Sequence, residues 1–171
     1  MKGYLQVYTG NGKGKTTAAF GLALRAAGAG MKVFIAQFVK GQEYSELAAV
    51  RNFLPSVDVK QYGLDCFIIN TPTQDDIDIA RKGLEEVSAV IASGDYDIVI
   101  LDEANIAVYY NLFTAAELLE VIKNKPEALE IIVTGRYASP QILETADLVT
   151  EMKEVKHYYT QGVDARIGIE C

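Results

Sequence analysis

The chain has 171 residues, one ordinary domain in length, with 50% hydrophobic residues and a formal net charge of −7, and it is long enough to bury a real core. That acidic balance argues against nucleic acid or an anionic membrane surface as the main partner. Cys66 and Cys171 form no paired motif, the longest apolar stretch is broken by Arg25, and Met1-Lys2 leads straight into a strand-like segment. No disulfide framework, membrane span or leader is therefore expected, and the reading is a cytoplasmic protein.

Gly3 to Tyr8 alternates in polarity like a strand, and Ala18 to Ala29 is rich in Ala and Leu like a helix. Between them, residues 9 to 17 read Thr-Gly-Asn-Gly-Lys-Gly-Lys-Thr-Thr. A strand, a glycine-rich turn and a helix in that order make the phosphate cradle of P-loop proteins. Gly10, Gly12 and Gly14 let the loop turn its N–H groups inward beside Asn11 and Lys13, and the helix N-terminus adds partial positive charge. Lys15 would reach the terminal phosphates, Thr16 would ligate Mg²⁺, and Thr17 continues the cradle. Thr9 stands where the usual pattern opens on glycine. Residues 1 to 42 carry Lys2, Lys13, Lys15, Arg25, Lys32 and Lys40 and no Asp or Glu, a charge of +6 that leaves −13 on the remainder. A cationic segment around the turn suits a polyphosphate, although an acidic remainder is also simply a solvated surface.

The strand–helix rhythm continues along the chain. Strands are expected over Val33 to Val39, Val57 to Tyr62, Asp97 to Leu101 and Leu129 to Val133. Helices are expected over Ser45 to Phe53, Asp75 to Ala92, Ala115 to Lys123 and shortly after Pro140, with one or two final strands from Leu148 onward. Near-continuous Val/Ile runs alternating with helices predict an α/β fold, P-loop NTPase-like, in which a mostly parallel sheet has helices on both faces. With no internal repeat or linker, residues 1–171 read as a single domain. Ligands in such sheets sit beyond the carboxyl ends of the strands. The glycine turn, Lys40-Gly41, Asp102-Glu103 and Thr134-Gly135-Arg136 all fall there. Asp102 and Glu103 end an apolar strand and are the expected partners of Mg²⁺, and the spacing leaves open which one touches the metal directly.

Several local strings go beyond a generic phosphate cradle. The stretch from Thr9 to Gly21, Ala36-Gln-Phe-Val-Lys-Gly41, Leu101-Asp-Glu103, Val133-Thr-Gly-Arg136, residues 146 to 152, Val155-Lys-His157 and residues 165 to 170 together resemble the ATP:corrinoid adenosyltransferases, in order from end to end. The resemblance implies that cobalt(I) of a corrinoid attacks the 5′ carbon of ATP and releases triphosphate. Reduced cobalt is already a strong nucleophile, so the protein needs no nucleophilic side chain and no general base. It must supply position, and cations for the charge growing on the leaving group. Lys13, Lys15, Arg136 and Mg²⁺ held by Thr16 and Glu103 suit that task, with Lys15 and Arg136 as the catalytic pair. His157, the single histidine, is left a structural or rim role.

On the corrin side the family usually reads Gly-Phe-Thr-Trp after the third strand. Here the matching stretch is Cys66-Phe-Ile-Ile69, so Phe67 and Ile69 are the corrinoid-facing candidates, with core packing as the plainer account of the same apolar run. Tyr109-Tyr110 and Tyr158-Tyr159 read equally as corrin contacts or as surface packing. The resemblance also implies a homodimer and leaves room for a reductase partner. Two other readings stand beside it: a P-loop kinase or ATPase acting on the terminal phosphate, and a non-catalytic nucleotide or corrinoid binder. In the transfer reading the triphosphate lies folded or reversed in the cradle, so that the 5′ carbon faces Phe67 and Ile69.

Overall fold

The computed structural model describes residues 2–64 and 71–170. Six strands form one sheet in which every pairing is parallel: β1 (Leu5–Thr9), β2 (Val33–Phe38), β3 (Val57–Tyr62), β4 (Ile98–Asp102), β5 (Glu130–Thr134) and β6 (Leu148–Glu151), in the spatial order β3-β2-β4-β5-β1-β6. Six helices connect them: α1 (Lys15–Gly28), α2 (Ser45–Phe53), α3 (Gln74–Ser93), α4 (Ala104–Tyr109), α5 (Ala115–Lys123) and α6 (Pro140–Thr145). This is the α/β architecture expected from the alternating pattern.

Period-two alternation within each central strand divides the core in two. Val33, Ile35, Ile98, Ile100 and Ile132 point to one face, where Ala19, Ala23 and Ala26 of α1 and Val50 of α2 cover them. Phe34, Phe38, Val99, Leu101, Ile131 and Val133 point to the other, under α3, α4, α5 and α6. Alanines along the inner face of α1 let that helix lie close to the sheet, which fixes the height of its N-terminus above the strand ends. Each fully buried aliphatic side chain contributes about 1.5–3 kcal/mol, so the strands that deliver the site are the best anchored part of the molecule.

One element differs from the sequence expectation. The chain enters α4 directly after β4, with Glu103 in the left-handed region at φ 58°. The terminal segment adds the strand β6, within the one or two expected, and then a 3-10 turn at Tyr158–Gln161. No helix among the described residues is long and apolar enough to cross a membrane.

Candidate active site at the strand ends

The loop between β1 and α1 owes its shape to two different uses of glycine. Gly10 and Gly14 have φ of 95° and 118°, a region that L side chains rarely adopt. Gly12 is required by proximity: a Cβ there would lie 2.8 Å from the carbonyl oxygen of Met152, which accepts the Gly12 N–H at 2.7 Å. The end of β6 thus braces the cradle from outside. Helix α1 begins without a side-chain cap and without an acidic residue in its first turn, whereas α3 and α5 open on complete capping boxes, Thr73 with Asp76 and Thr114 with Glu117. A helix start left open in this way keeps its N–H groups and dipole for an anion.

Gly12, Lys13, Gly14, Lys15, Thr16 and Thr17 line a cleft of about 840 Å³, together with residues from the ends of β2, β4 and β5 and from the C-terminal tail. Gly10 and Asn11 shape the loop without lining that cleft. Lys15 is buried, and its ammonium donates to the carbonyl oxygens of Gly10 at 2.8 Å and Gly12 at 2.7 Å. Burial lowers its pKa, and the nearby Arg136 cation lowers it further, against the opposing pull of Glu103 and Asp102. A desolvated ammonium beside carbonyl dipoles gains when anionic oxygens replace them.

Asp102 has no solvent exposure, and its two oxygens take four donors. Oδ1 accepts from Thr16 Oγ1 at 2.9 Å and Thr134 Oγ1 at 2.7 Å, and Oδ2 accepts from Lys40 Nζ at 2.8 Å and Gln37 Nε2 at 3.1 Å. Burial alone would raise its pKa, but Lys40 and the hydroxyl donors outweigh burial and hold the carboxyl below its ordinary value. Burial likewise opposes the charge on Lys40, and the Asp102 carboxylate outweighs it, so the Lys40 pKa is raised. Glu103 is shifted the other way: burial and the neighbouring Asp102 charge both push its pKa up.

These distances give the sequence candidates separate places. Thr16 and Asp102 meet. Glu103, turned aside by its left-handed backbone, lines the cleft with Arg136 and acts on Lys15 through charge. Lys13 points away from the loop toward the tail, where its ammonium donates to the Ile169 carbonyl at 2.9 Å and the Glu170 carboxylate at 2.9 Å. His157 lines the cleft, and its Nδ1 accepts the Tyr159 N–H at 3.1 Å, a capping role for the 3-10 turn. Tyr110 lines the cleft, while Tyr109 stacks on Tyr137 with ring centroids 4.4 Å apart. Phe67 and Ile69 lie outside the described residues.

Among the described residues no three His, Cys, Asp or Glu side chains converge as a ready-made metal site. The Thr16 hydroxyl and Asp102 carboxylate nevertheless form a hard oxygen pair at the mouth of the cradle. That donor chemistry fits Mg²⁺, which takes one or two protein oxygens and completes its shell with phosphates and water. Lys40 and Thr134 are the partners that sequence reasoning missed. Only the position of Lys40 at a strand end hinted at its part, and nothing local marks Thr134 as a ligand of Asp102.

Comparison with known proteins agrees with this geometry. The sequence profile of the family described as ATP:corrinoid adenosyltransferase BtuR/CobO/CobP matches residues 1–171. The corrinoid adenosyltransferase of Pseudomonas aeruginosa is 38% identical over 170 residues, which cover 99% of this chain and 84% of that protein. The corrinoid adenosyltransferase of Escherichia coli K12 is 38% identical over 171 residues, covering 99% and 86%. That of Salmonella typhimurium is 36% identical over 171 residues, with the same two coverages.

Proposed function

The chain belongs to the ATP:corrinoid adenosyltransferase family, and on that premise we propose that it transfers the 5′-deoxyadenosyl group by attack of corrinoid cobalt(I) on the 5′ carbon of ATP. The bond between that carbon and its ester oxygen breaks as the cobalt–carbon bond forms, and triphosphate leaves. Catalysis then lies in holding ATP still and stabilising the anion that departs. Lys15 and Arg136 serve the departing charge from within the cleft. The loop from Gly10 to Thr17, with Asn11, holds the polyphosphate, and Lys13 joins it from the rim. Mg²⁺, held by Thr16 with Asp102 and supported by Glu103, would add positive charge at the phosphate oxygens.

The observation that carries this reading is the pairing of an uncapped helix start with a buried lysine and an oxygen pair at one cleft, in a chain of this family. A cleft of about 840 Å³ has the size of a site for one nucleotide-sized ligand. On this reading the corrin macrocycle sits against the mouth of the cleft with the 5′ carbon facing it, and Phe67 and Ile69, outside the described residues, stay its candidate contacts from the sequence alone. The cytoplasm, a homodimer and a reductase that delivers cobalt(I) complete the proposal. Its open edge at β6, where Leu148 and Val149 are exposed, is one surface available to a second copy.

The test is to incubate the protein with ATP, Mg²⁺ and chemically reduced corrinoid and follow the spectrum for a new cobalt–carbon bond while assaying the released anion. One triphosphate per adenosylated corrinoid is expected. ADP with orthophosphate would favour an ATPase, ADP with a phosphorylated acceptor a kinase, and unchanged reactants a binder. Lys15→Ala should reduce turnover on the order of 100-fold or more.

A further inference from the structure

Asp102 is saturated. A carboxylate offers about four lone-pair positions, and all four are used by Thr16, Thr134, Lys40 and Gln37. Thr134 and Gln37 belong to strands and have no exposure, and Gln37 is held in turn by Gln61, whose Nε2 donates to Gln37 Oε1 at 3.2 Å. Thr16 is fixed in the first turn of α1. Lys40 alone is both charged and mounted on a flexible stem, and its ammonium also donates to Thr16 Oγ1 at 3.1 Å. One cation thus touches both oxygens that the proposed function gives to Mg²⁺.

The backbone under Lys40 is built to place it there. Val39 is β-branched and yet left-handed, at φ 58°, a conformation that costs about 1–3 kcal/mol and persists only where its surroundings enforce it. Its N–H donates to the Tyr62 carbonyl at 3.1 Å. A Cβ on Gly63 would lie 2.4 Å from the Lys40 nitrogen, and one on Gly41 would lie 2.5 Å from the Leu64 carbonyl carbon. The ends of β2 and β3 are therefore clamped backbone to backbone, and the clamp aims the Lys40 side chain across β2 at β4. The Tyr44 ring, 5.7 Å from Nζ, and the Glu46 carboxylate also attract the ammonium.

We infer that Lys40 is a resident cation of the metal position, which neutralises Asp102 in the nucleotide-free protein and yields to Mg²⁺ only when a triphosphate arrives with it. Bare Mg²⁺ dehydrates reluctantly and would have to break a buried ion pair. A triphosphate supplies oxygens to the metal and to the displaced ammonium together, which makes the exchange favourable. Metal and nucleotide binding are thereby coupled, and Lys40 becomes a positioning residue for the reaction. The inference rests on the reading that Thr16 and Asp102 serve the metal, but its test needs no turnover.

Thermal melts without nucleotide, at matched ionic strength and with or without millimolar MgCl₂, should be recorded for the natural chain, Lys40→Met and Lys40→Met/Asp102→Asn. The natural chain should be indifferent to Mg²⁺ until ATP is added. Lys40→Met should melt lower without metal and regain on the order of 5 °C with it. The double variant, in which both charges are gone, should melt near the natural chain and ignore Mg²⁺. A Lys40→Met protein that folds only after Mg²⁺ is added also supports the inference. Stabilisation of the natural chain by Mg²⁺ alone would overturn it. So would a Lys40→Met protein that is indifferent to Mg²⁺, or one that stays unfolded in Mg²⁺ while the double variant folds.

Discussion

Glu103 shows how a single carboxylate can work against the fold that holds it. Burial and the adjacent Asp102 charge raise its pKa, so folding disfavours its ionised form relative to the unfolded chain. Below the ordinary carboxylate range it is neutral in both the folded and unfolded states and contributes nothing. As pH rises through the unfolded value and then the folded one, the folded state binds more protons, and stability is lost until both states are ionised. Glu103→Gln should therefore stabilise the protein at neutral pH by ~1 kcal/mol, or roughly 2–4 °C in Tm, with the gain vanishing in acid. If Glu103 supports the metal as proposed, the Mg²⁺ concentration for half-maximal turnover should rise in the same variant. Melts across pH and Mg²⁺ titrations separate the two effects, and unchanged Mg²⁺ dependence would leave the metal to Asp102. Lys15 and Thr16 were legible in the sequence because their relation to the glycines is a matter of covalent spacing. The meeting of Lys40 and Asp102 was not, because residues 62 positions apart are joined only by the β2–β4 register that sets Gln37 beside Asp102.

Among the secondary-structure elements, segments with a clear period or a proline start signal were readable, and α4 was not. The bounds of α2 and β3 agree with the sequence expectation, and α3 differs by one residue at each end. Helix α4, with six residues, is too short to display a period, and its start depends on the left-handed backbone at Glu103. Strand β6 falls within the one or two final strands expected, and the tail beyond it ends in a 3-10 turn that no local period marks. Its turn is held by contacts remote in sequence, above all at Glu170, whose carboxylate takes hydrogen bonds from Arg166, Tyr158 and Lys13 that hold it well below the ordinary carboxylate range. Glu170 is therefore ionised at every pH near neutrality, and Lys13 stays paired with it at the cleft wall. Because Glu170 competes with phosphate oxygens for Lys13, Glu170→Gln should tighten ATP binding by roughly two- to five-fold at low salt, within the range of an exposed ion pair. Calorimetric titration with ATP decides it: equal or weaker affinity would mean that Lys13 serves the tail and not the nucleotide.

Over the whole molecule, the distribution of charge matters more than its sum. The +6 of the first 42 residues is divided in space. Lys13, Lys15 and Lys40 line the cleft, but Lys32 lies at the amino end of β2, at the opposite edge of the sheet. Arg136, from a distant part of the chain, restores what the cleft loses. The lining then holds Lys13, Lys15, Lys40 and Arg136 against Glu46, Glu103 and Glu170, four cations and three carboxylates, in a molecule of net charge −7. The two scales predict opposite salt effects on the association of ATP. If net charge governed, an anionic ligand would be repelled, and added salt would speed association by screening that repulsion. If the local field governs, salt screens an attraction and slows association, because with a Debye length of about 10 Å at 0.1 M the charges lining the cleft outweigh those farther off. Stopped-flow measurement of the association rate between low and high salt should show a fall of roughly two- to five-fold, small because the lining carries an excess of one cation only. Glu170→Gln, which removes one of the three carboxylates, should steepen that fall. A rate that rises with salt in both proteins would show that the acidic remainder sets the field at the cleft.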